Sequence, residues 1–218
     1  MKPSAILFDL DGTLVETIDL WHQAVGESLK HAGMNATPEQ LTAWYSAALH
    51  FEGILDIFGR TEADAPNVRR MRDDMYVDLL RQNVEWLPGV LEVLDQLKAE
   101  KMPMGMITGS HRRYVDAIDE RLSLNHYFGT IITADEMGKF MKPHPHGLFM
   151  AADALGVEAK NCIFVGDQLF DIGAAKAAGI TAVLIPHLHS PAGATEEADT
   201  VIESLSDVLH IVIADAKA

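Results

Sequence analysis

The sequence lacks features that would point to a disulfide-bonded or membrane-spanning protein. Its single cysteine, Cys162, excludes an intrachain disulfide, and the apolar run around it, NCIFVGD, is typical of a buried core residue rather than a nucleophile. No apolar run approaches the roughly 18 residues that a membrane span needs. The start, MKPSAILFDLDG, meets acids too early for a signal peptide. We therefore expect a soluble cytoplasmic protein.

Basic residues are also scarce. The chain of 218 residues holds 17 Lys and Arg against 32 Asp and Glu, which gives a formal net charge of −15. A surface this acidic disfavours nucleic acid and anionic membranes as partners. A small anionic substrate remains compatible, because a bound cation and one lysine can reverse the local field. We expect a small-molecule partner, no nucleic acid, no membrane, and a chain that is a monomer or a homodimer.

Hydrophobic residues are plentiful, at 48% of the chain, and their pattern predicts the fold class. Short apolar runs predict buried strands at 5–9, 103–107, 130–133, 162–166 and 181–185. Helical patterns lie between most of these runs. Strands that alternate with helices predict an α/β fold with a doubly wound parallel sheet covered on both faces. Active sites in such sheets lie at the carboxyl ends of the strands.

The spacing of the predicted strands is uneven and indicates an insertion. The long gap after the first strand contains stretches with helical periodicity at 17–33, 38–59 and 67–83. We interpret residues 16–86 as an inserted α-helical cap domain, and residues 1–15 and 87–218 as the catalytic core domain. A helical lobe inserted at this point is well placed to cover the site.

The first candidate segment is DLDGT at residues 9–13, where an apolar strand ends in two acids. Carboxylates near a core cost free energy unless a cation compensates for their lost hydration. Side chains at i and i+2 of an extended segment point the same way, so Asp9 and Asp11 can face one ligand. Gly12 lets the backbone turn tightly beside that ligand. Taken alone, the segment is explained equally well as a strand followed by an acidic turn.

Two further segments carry groups that suit a phosphate ester. The strand MGMI ends in Thr108, Gly109 and Ser110, and hydroxyls and amides at a strand-to-helix turn bind phosphate oxygens well. Plain capping of the next helix explains them too. Lys142 precedes Pro143, which favours an extended, rigid backbone, and a fixed lysine can neutralise a phosphate or a carboxylate. A solvated lysine is the simpler interpretation of that segment alone.

The last segment, CIFVGDQLFDIG, again ends an apolar strand in an acid, Asp167, and a second acid, Asp171, follows at a helix start. Asp171 alone could be a helix cap. Asp167, however, would face Asp9 across the edge of the sheet. Carboxylate oxygens from these positions suit a small hard cation, of which Mg²⁺ is the foremost candidate.

In this order, at successive strand ends, the segments resemble the haloacid dehalogenase (HAD) superfamily of phosphohydrolases with a helical cap, in its phosphoglycolate phosphatase-like branch. The resemblance implies a Mg²⁺-dependent phosphatase that hydrolyses a small phosphorylated metabolite through an aspartyl-phosphate intermediate. It implies that Asp9 is the nucleophile and a metal ligand. It also implies that Asp11 is the general acid and base, with its backbone carbonyl on the metal.

The same resemblance implies roles for the other segments. Thr108 would hold the transferring phosphoryl group, and Lys142 would steady both Asp9 and the phosphate. Asp167 would ligate the metal, and Asp171 would support the metal site. The residues expected to bind the phosphate or the substrate are Gly12, Thr13, Thr108, Gly109, Ser110 and Lys142.

Two alternative functions remain open. A β-phosphoglucomutase-like phosphotransferase usually shows Glu-Asp-Ser in the last segment, glycine at the position of Asp171, and an arginine in the cap. This chain has Gly166-Asp167-Gln168 and lacks an arginine just after Gly53, so a phosphatase is favoured. The other alternative is a non-catalytic binding protein that keeps the fold. The chain carries every residue that the chemistry requires, which argues against it.

Overall fold

The computed structural model describes residues 2–47, 49–61, 63, 67–187, 190–191 and 193–213. The chain divides into two compact units. The larger unit consists of Met1–Glu16 and Glu85–Ala218, and the smaller one consists of Thr17–Val84. The cap role expected for residues 16–86 stays a prediction.

A six-stranded parallel sheet forms the centre of the larger unit. The strands of the chain are β1 (Ala5–Phe8), β2 (Val15–Glu16), β3 (Glu85–Trp86), β4 (Met104–Ile107), β5 (Thr130–Ile132), β6 (Cys162–Gly166), β7 (Thr181–Leu184) and β8 (Thr200–Val201). The order in the sheet is β5-β4-β1-β6-β7-β8, and β2 pairs with β3 in a separate antiparallel ladder. The predicted α/β class and its parallel sheet are thereby confirmed.

Helices connect the strands of the sheet and build the smaller unit. They are α1 (Ile18–His31), α2 (Pro38–Ser46), α3 (Phe51–Ile57), α4 (Val68–Asn83), α5 (Val90–Ala99), α6 (Arg112–Leu122), α7 (Ala134–Met137), α8 (His146–Ala154), α9 (Leu169–Ala178), α10 (Ala194–Glu197) and α11 (Asp207–Ile213). Short 3₁₀ turns occupy Leu124–His126 and Ala159–Asn161. None of the helices in these described ranges has the length and apolar character to cross a membrane.

Strand β1 is central because both of its faces are covered. All four of its residues are fully buried, as expected for a parallel strand between two helical layers. Leu7 packs in a core cluster with Ile107 and Phe164 of the neighbouring strands. Phe8, next in the chain, makes an edge-to-face contact with Phe128 at a centroid distance of 6.2 Å. This apolar strand fixes the position of the acids that follow it.

The smaller unit has its own apolar core. Residues from all four of its helices form one buried cluster: Val25, Leu29, Met34, Leu41, Trp44, Phe51, Ile54, Leu55 and Val68. Helix α2 begins at a capping box, in which the Thr37 hydroxyl accepts from the Gln40 backbone N–H and the Gln40 side chain accepts from the Thr37 N–H. The stretch 38–59, which has one helical periodicity in sequence, forms two helices, α2 and α3.

A pair of glycine substitutions tests this packing with opposite expected signs. A Cβ on Gly105 in β4 would lie 2.9 Å from Leu7 Cδ2 and 3.1 Å from Thr130 Cγ2, so Gly105→Ala should destabilise the protein by about 1–3 kcal/mol. Gly26 lies inside α1, where the nearest atom to a new Cβ is Leu41 Cδ1 at 3.5 Å. Gly26→Ala should stabilise by about 0.5–1 kcal/mol. Urea unfolding of both variants is the measurement, and shifts of the same sign would contradict the packing described.

Candidate active site

Three of the predicted site residues occupy the first position after neighbouring parallel strands. Asp9 follows β1, Thr108 follows β4 and Asp167 follows β6, and β1 lies between the other two strands. Because parallel strands end at the same edge of a sheet, these three side chains come together. All three are buried. The three side chains form a buried polar cluster at the carboxyl ends of apolar strands.

The Lys142 ammonium group is enclosed by this cluster. Its Nζ lies 2.6 Å from Asp9 Oδ1, 2.6 Å from Asp171 Oδ1 and 3.3 Å from the backbone oxygen of Ile107. The Lys142 side chain is 3% exposed, and Phe164 and Phe170 place their rings 5.6 and 5.4 Å from Nζ. An ammonium group has three N–H donors, so each of them has an acceptor here. Lys142 is therefore fixed rather than solvated.

The acids around Lys142 carry more negative charge than the lysine neutralises. Carboxylate oxygens of Asp9, Asp167 and Asp171 all lie within 4.8 Å of one another. Burial raises the pKa of Asp9 well above its usual value, although Lys142 opposes that shift. Burial, reinforced by the charge of Asp171, raises the pKa of Asp167 to about 7. For Lys142, burial would lower the pKa, but the attraction of Asp171 and Asp9 outweighs it and the pKa rises.

This surplus charge fits a divalent cation. Three buried carboxylates and one ammonium group leave two negative charges without a counter-charge, which a doubly charged ion would balance. Clustered carboxylate oxygens are the ligands that small hard cations prefer. Asp9, Asp167 and Asp171 are therefore the residues that would hold such an ion. Asp11 places no carboxylate oxygen in this group, which leaves its backbone carbonyl as its predicted metal contact.

Two side-chain hydrogen bonds and the turn at Gly12 orient the Asp167 carboxylate. The Thr13 hydroxyl donates to its Oδ1 at 3.3 Å, and the Gln168 side-chain amide donates to its Oδ2. Gly12 adopts a φ of +78°, and a Cβ there would lie 2.9 Å from Asp167 Oδ2. Glycine is thus required both for the turn and for the close approach of Asp167. Thr13, predicted to bind phosphate, contacts the predicted metal ligand in this structure.

Asp11 occupies a different environment from Asp9. It is partly exposed, and its Oδ2 accepts hydrogen bonds from the Thr108 hydroxyl at 3.0 Å and the Ser110 hydroxyl at 2.8 Å. Gly109, between these two residues, is exposed. The structure thus brings Asp9, Asp11, Thr108, Lys142, Asp167 and Asp171 together in one constellation. Their individual roles stay predictions.

Two features of the site were not predicted from sequence. Gln168 carries no predicted role, yet its backbone N–H donates to Asp171 Oδ2 at 3.0 Å and its side-chain amide donates to Asp167. The sequence did contain a signal for this role, because Gln168 lies between Asp167 and Asp171, the two acids predicted at the metal site. The second is the start of α6, where the Arg112 backbone N–H donates to Asp135 Oδ2 at 2.6 Å and its guanidinium to Glu136 at 2.9 Å.

Comparison with known proteins places this constellation in a family. The sequence profile of haloacid dehalogenase-like hydrolases matches residues 6–185, which contain every predicted site residue. The chain belongs to the haloacid dehalogenase-like hydrolase family. A phosphoglycolate phosphatase of Yersinia pestis is 33% identical over 215 residues, covering 95% of this chain and 92% of the relative. Phosphoglycolate phosphatase 1 of Pseudomonas aeruginosa is 30% identical over 95% of this chain and 79% of its own length.

Solved structures share the fold. CbbY from Rhodobacter sphaeroides in complex with phosphate superposes with a TM-score of 0.81 at 21% identity, covering 94% of this chain and 96% of that one. A HAD family hydrolase from Deinococcus radiodurans with bound phosphate and sodium has a TM-score of 0.76 at 24% identity, covering 98% and 96%. The expected family and fold are confirmed, and so is the expected class of enzyme, a phosphoric monoester hydrolase.

Replacing the buried lysine tests the charge balance of the site without any substrate. Lys142→Met should lower the free energy of unfolding by roughly 3–5 kcal/mol in metal-free buffer, because Asp9 and Asp171 lose their shared counter-charge while buried. Lys139→Met, at a nearby exposed lysine, is the matched control and should change stability by less than about 0.5 kcal/mol. Urea denaturation measures both. Equal effects of the two substitutions would show that Lys142 is not the counter-charge.

Proposed function

We propose that this chain hydrolyses a small phosphate monoester, with phosphoglycolate as the first substrate to test, through transfer of the phosphoryl group to Asp9. The observation that carries the proposal is the buried Asp9 carboxylate, held 2.6 Å from Lys142 beside acids that fit a divalent cation. Relatives that are phosphoglycolate phosphatases, matched over nearly their whole length, support the choice of ester. We propose Mg²⁺ as the cation.

The first step forms the covalent intermediate. A carboxylate oxygen of Asp9 bonds to phosphorus while the bond between phosphorus and the leaving oxygen breaks. Asp11, protonated at the start, gives its proton to the leaving oxygen, so the product is an alcohol and Asp11 becomes a carboxylate. Thr108 donates its hydroxyl proton in a hydrogen bond to the phosphoryl group. Lys142 opposes the effect of burial on Asp9, so that it favours the ionised carboxylate, and it neutralises charge on the phosphoryl oxygens.

The second step returns the enzyme to its starting state. The Asp11 carboxylate takes a proton from a water molecule, whose oxygen bonds to phosphorus as the bond to Asp9 breaks. Inorganic phosphate leaves, Asp9 is again a carboxylate and Asp11 again carries its proton. Acid–base assistance of this kind contributes about a hundredfold to ten-thousandfold in rate. Asp9, Asp167, Asp171 and the Asp11 carbonyl would hold Mg²⁺, which would help to neutralise the charge of the phosphoryl group.

Further proposals concern the setting of the reaction. We propose that residues 16–86 act as a cap that selects the ester and excludes water during the first step. We also propose that the chain works in the cytoplasm as a monomer or a homodimer, without a nucleic acid or membrane partner. The strongly acidic composition supports the absence of those partners.

The proposed nucleophile can be tested by an isosteric replacement. Asp9→Asn should abolish Mg²⁺-dependent phosphate release from a panel of phosphate esters that includes phosphoglycolate and sugar phosphates, because a neutral amide cannot form the acyl-phosphate. Asp153→Asn, at an exposed acid on α8, is the matched control and should keep normal turnover. Normal release by Asp9→Asn would refute the mechanism. If the wild type instead transferred phosphate between sugar positions without releasing it, the protein would be a mutase.

Metal binding should be visible in stability as well as in turnover. Mg²⁺ should raise the free energy of unfolding of the wild type, by about 2.7 kcal/mol at one hundred times its dissociation constant. Asp167→Asn should lose this gain because it removes one of the proposed ligands. Thermal unfolding with and without Mg²⁺ is the measurement. An equal gain in both proteins would exclude Asp167 from the metal site.

The same variant has an expected pH dependence in metal-free buffer. The folded-state pKa of Asp167, about 7, lies above the unfolded value near 3.9, so its ionisation opposes folding at high pH. Without Mg²⁺, Asp167→Asn should therefore gain stability relative to the wild type as the pH rises from about 5 to 8. Thermal unfolding across this range tests the expectation. A constant difference between the two proteins would contradict it.

A further inference from the structure

The Ser110 hydroxyl is directed at the proposed acid rather than into the loop around it. Ser110 Oγ lies 2.8 Å from Asp11 Oδ2, and the Thr108 hydroxyl donates to the same oxygen at 3.0 Å. The Ser110 backbone N–H donates to Thr108 Oγ1 at 3.0 Å. These contacts form a closed chain of hydrogen bonds. Asp11, Thr108 and Ser110 are therefore held as one unit.

We propose that Ser110 is a positioning residue for Asp11, and that its hydroxyl holds the Asp11 carboxyl in the orientation that proton transfer requires. The inference rests on the proposed function, in which Asp11 is the acid and base. It departs from the sequence-based expectation that Ser110 binds phosphate.

The count of hydroxyl protons separates the roles of Ser110 and Thr108. A hydroxyl has one proton, so it donates to one acceptor at a time. When Thr108 donates to a phosphoryl oxygen, as proposed, it no longer donates to Asp11. Ser110 then remains as the hydroxyl that anchors Asp11 Oδ2. If Ser110 also turned to the phosphate, Asp11 would lose both of these anchors at the moment of proton transfer.

The backbone that carries Ser110 is fixed by its neighbours. The Ala134 N–H donates to the Ser110 carbonyl at 3.1 Å, and the Arg112 N–H donates to Asp135 Oδ2 at 2.6 Å. The Arg112 guanidinium also donates to the Ile131 carbonyl at 2.9 Å. These contacts tie the Ser110 loop to the segment that begins α7. A hydroxyl on such a braced loop can set the orientation of a neighbouring carboxyl.

The proposal predicts a dependence on the leaving group. An alkoxide needs a proton to leave, whereas p-nitrophenolate leaves without one. A misplaced acid therefore slows the first step only for alkyl esters, by about tenfold to a hundredfold. The second step needs Asp11 as a base for every ester. A residue that binds phosphate would instead weaken the binding of all esters and of inorganic phosphate alike.

The experiment is rapid-mixing kinetics of Ser110→Ala with phosphoglycolate and with p-nitrophenyl phosphate. We expect a first step about tenfold to a hundredfold slower for phosphoglycolate, a near-normal first step for p-nitrophenyl phosphate followed by slow turnover, and an inhibition constant for inorganic phosphate within about twofold of the wild type. Ser110→Thr keeps a hydroxyl and should retain both steps. Ser4→Ala, at an exposed serine beside the amino end of β1, should behave as the wild type.

The outcomes separate this proposal from the proposed function. An equal loss with both esters, together with weaker inhibition by inorganic phosphate, would assign Ser110 to phosphate binding and overturn the proposal. A Ser110→Ala variant with wild-type kinetics, or a Ser110→Thr variant as impaired as Ser110→Ala, would overturn it too. A wild-type protein that releases phosphate from neither ester would refute the proposed function itself.

Discussion

The ion pairs of Lys142 are the interaction on which the rest of the site depends. One ammonium group joins Asp9, which follows β1, to Asp171 in the first turn of α9, and to the last carbonyl of β4. Burying these charges carries a desolvation cost that only good geometry and full hydrogen bonding offset. Here every ammonium donor has an acceptor, and the two carboxylates share a single counter-charge. The lysine thereby fixes three separate segments at one edge of the sheet.

This site opposes the stability of the fold that carries it. Burial raises the pKa values of Asp9 and Asp167, which means that their ionised forms cost free energy in the folded state. The cost is offset by the apolar strands below, such as β1, whose four residues are fully buried. In the proposed mechanism the same environment would serve Asp9 as a nucleophile, because Lys142 favours its ionised form while burial keeps water away from it.

Much of this site follows from strand ends that are visible in the sequence. Asp9, Thr108 and Asp167 each come directly after an apolar run, and parallel pairing brings such residues to one edge. Lys142 is different: it lies between α7 and α8, and 133 residues separate it from Asp9. No local pattern shows where a lysine on a connection directs its side chain, so the segment alone favoured a solvated lysine and the family resemblance was needed to predict its role.

The contacts that the sequence did not reveal are also the ones that depend on tertiary geometry. The hydrogen bond from Thr13 to Asp167 spans 154 residues, and a motif of adjacent letters contains no information about it. The sequence also predicted no strand at β8, because its two residues are too few to show an alternating pattern. No role was predicted for Gln168 from the sequence, although its side-chain amide and its backbone N–H both donate to the neighbouring acids.

The two acids of the first segment show how environment divides roles within a motif. Asp9 and Asp11 are separated by Leu10, which is fully buried and anchors the backbone between them. Asp9 is almost completely buried and faces an ammonium group, whereas Asp11 is partly exposed and faces two hydroxyls. Charge is thus neutralised at the Asp9 carboxyl, whereas the Asp11 carboxyl accepts hydrogen bonds from two neutral hydroxyls. This difference in environment, two positions apart in one motif, is what supports the separate roles proposed for the two acids.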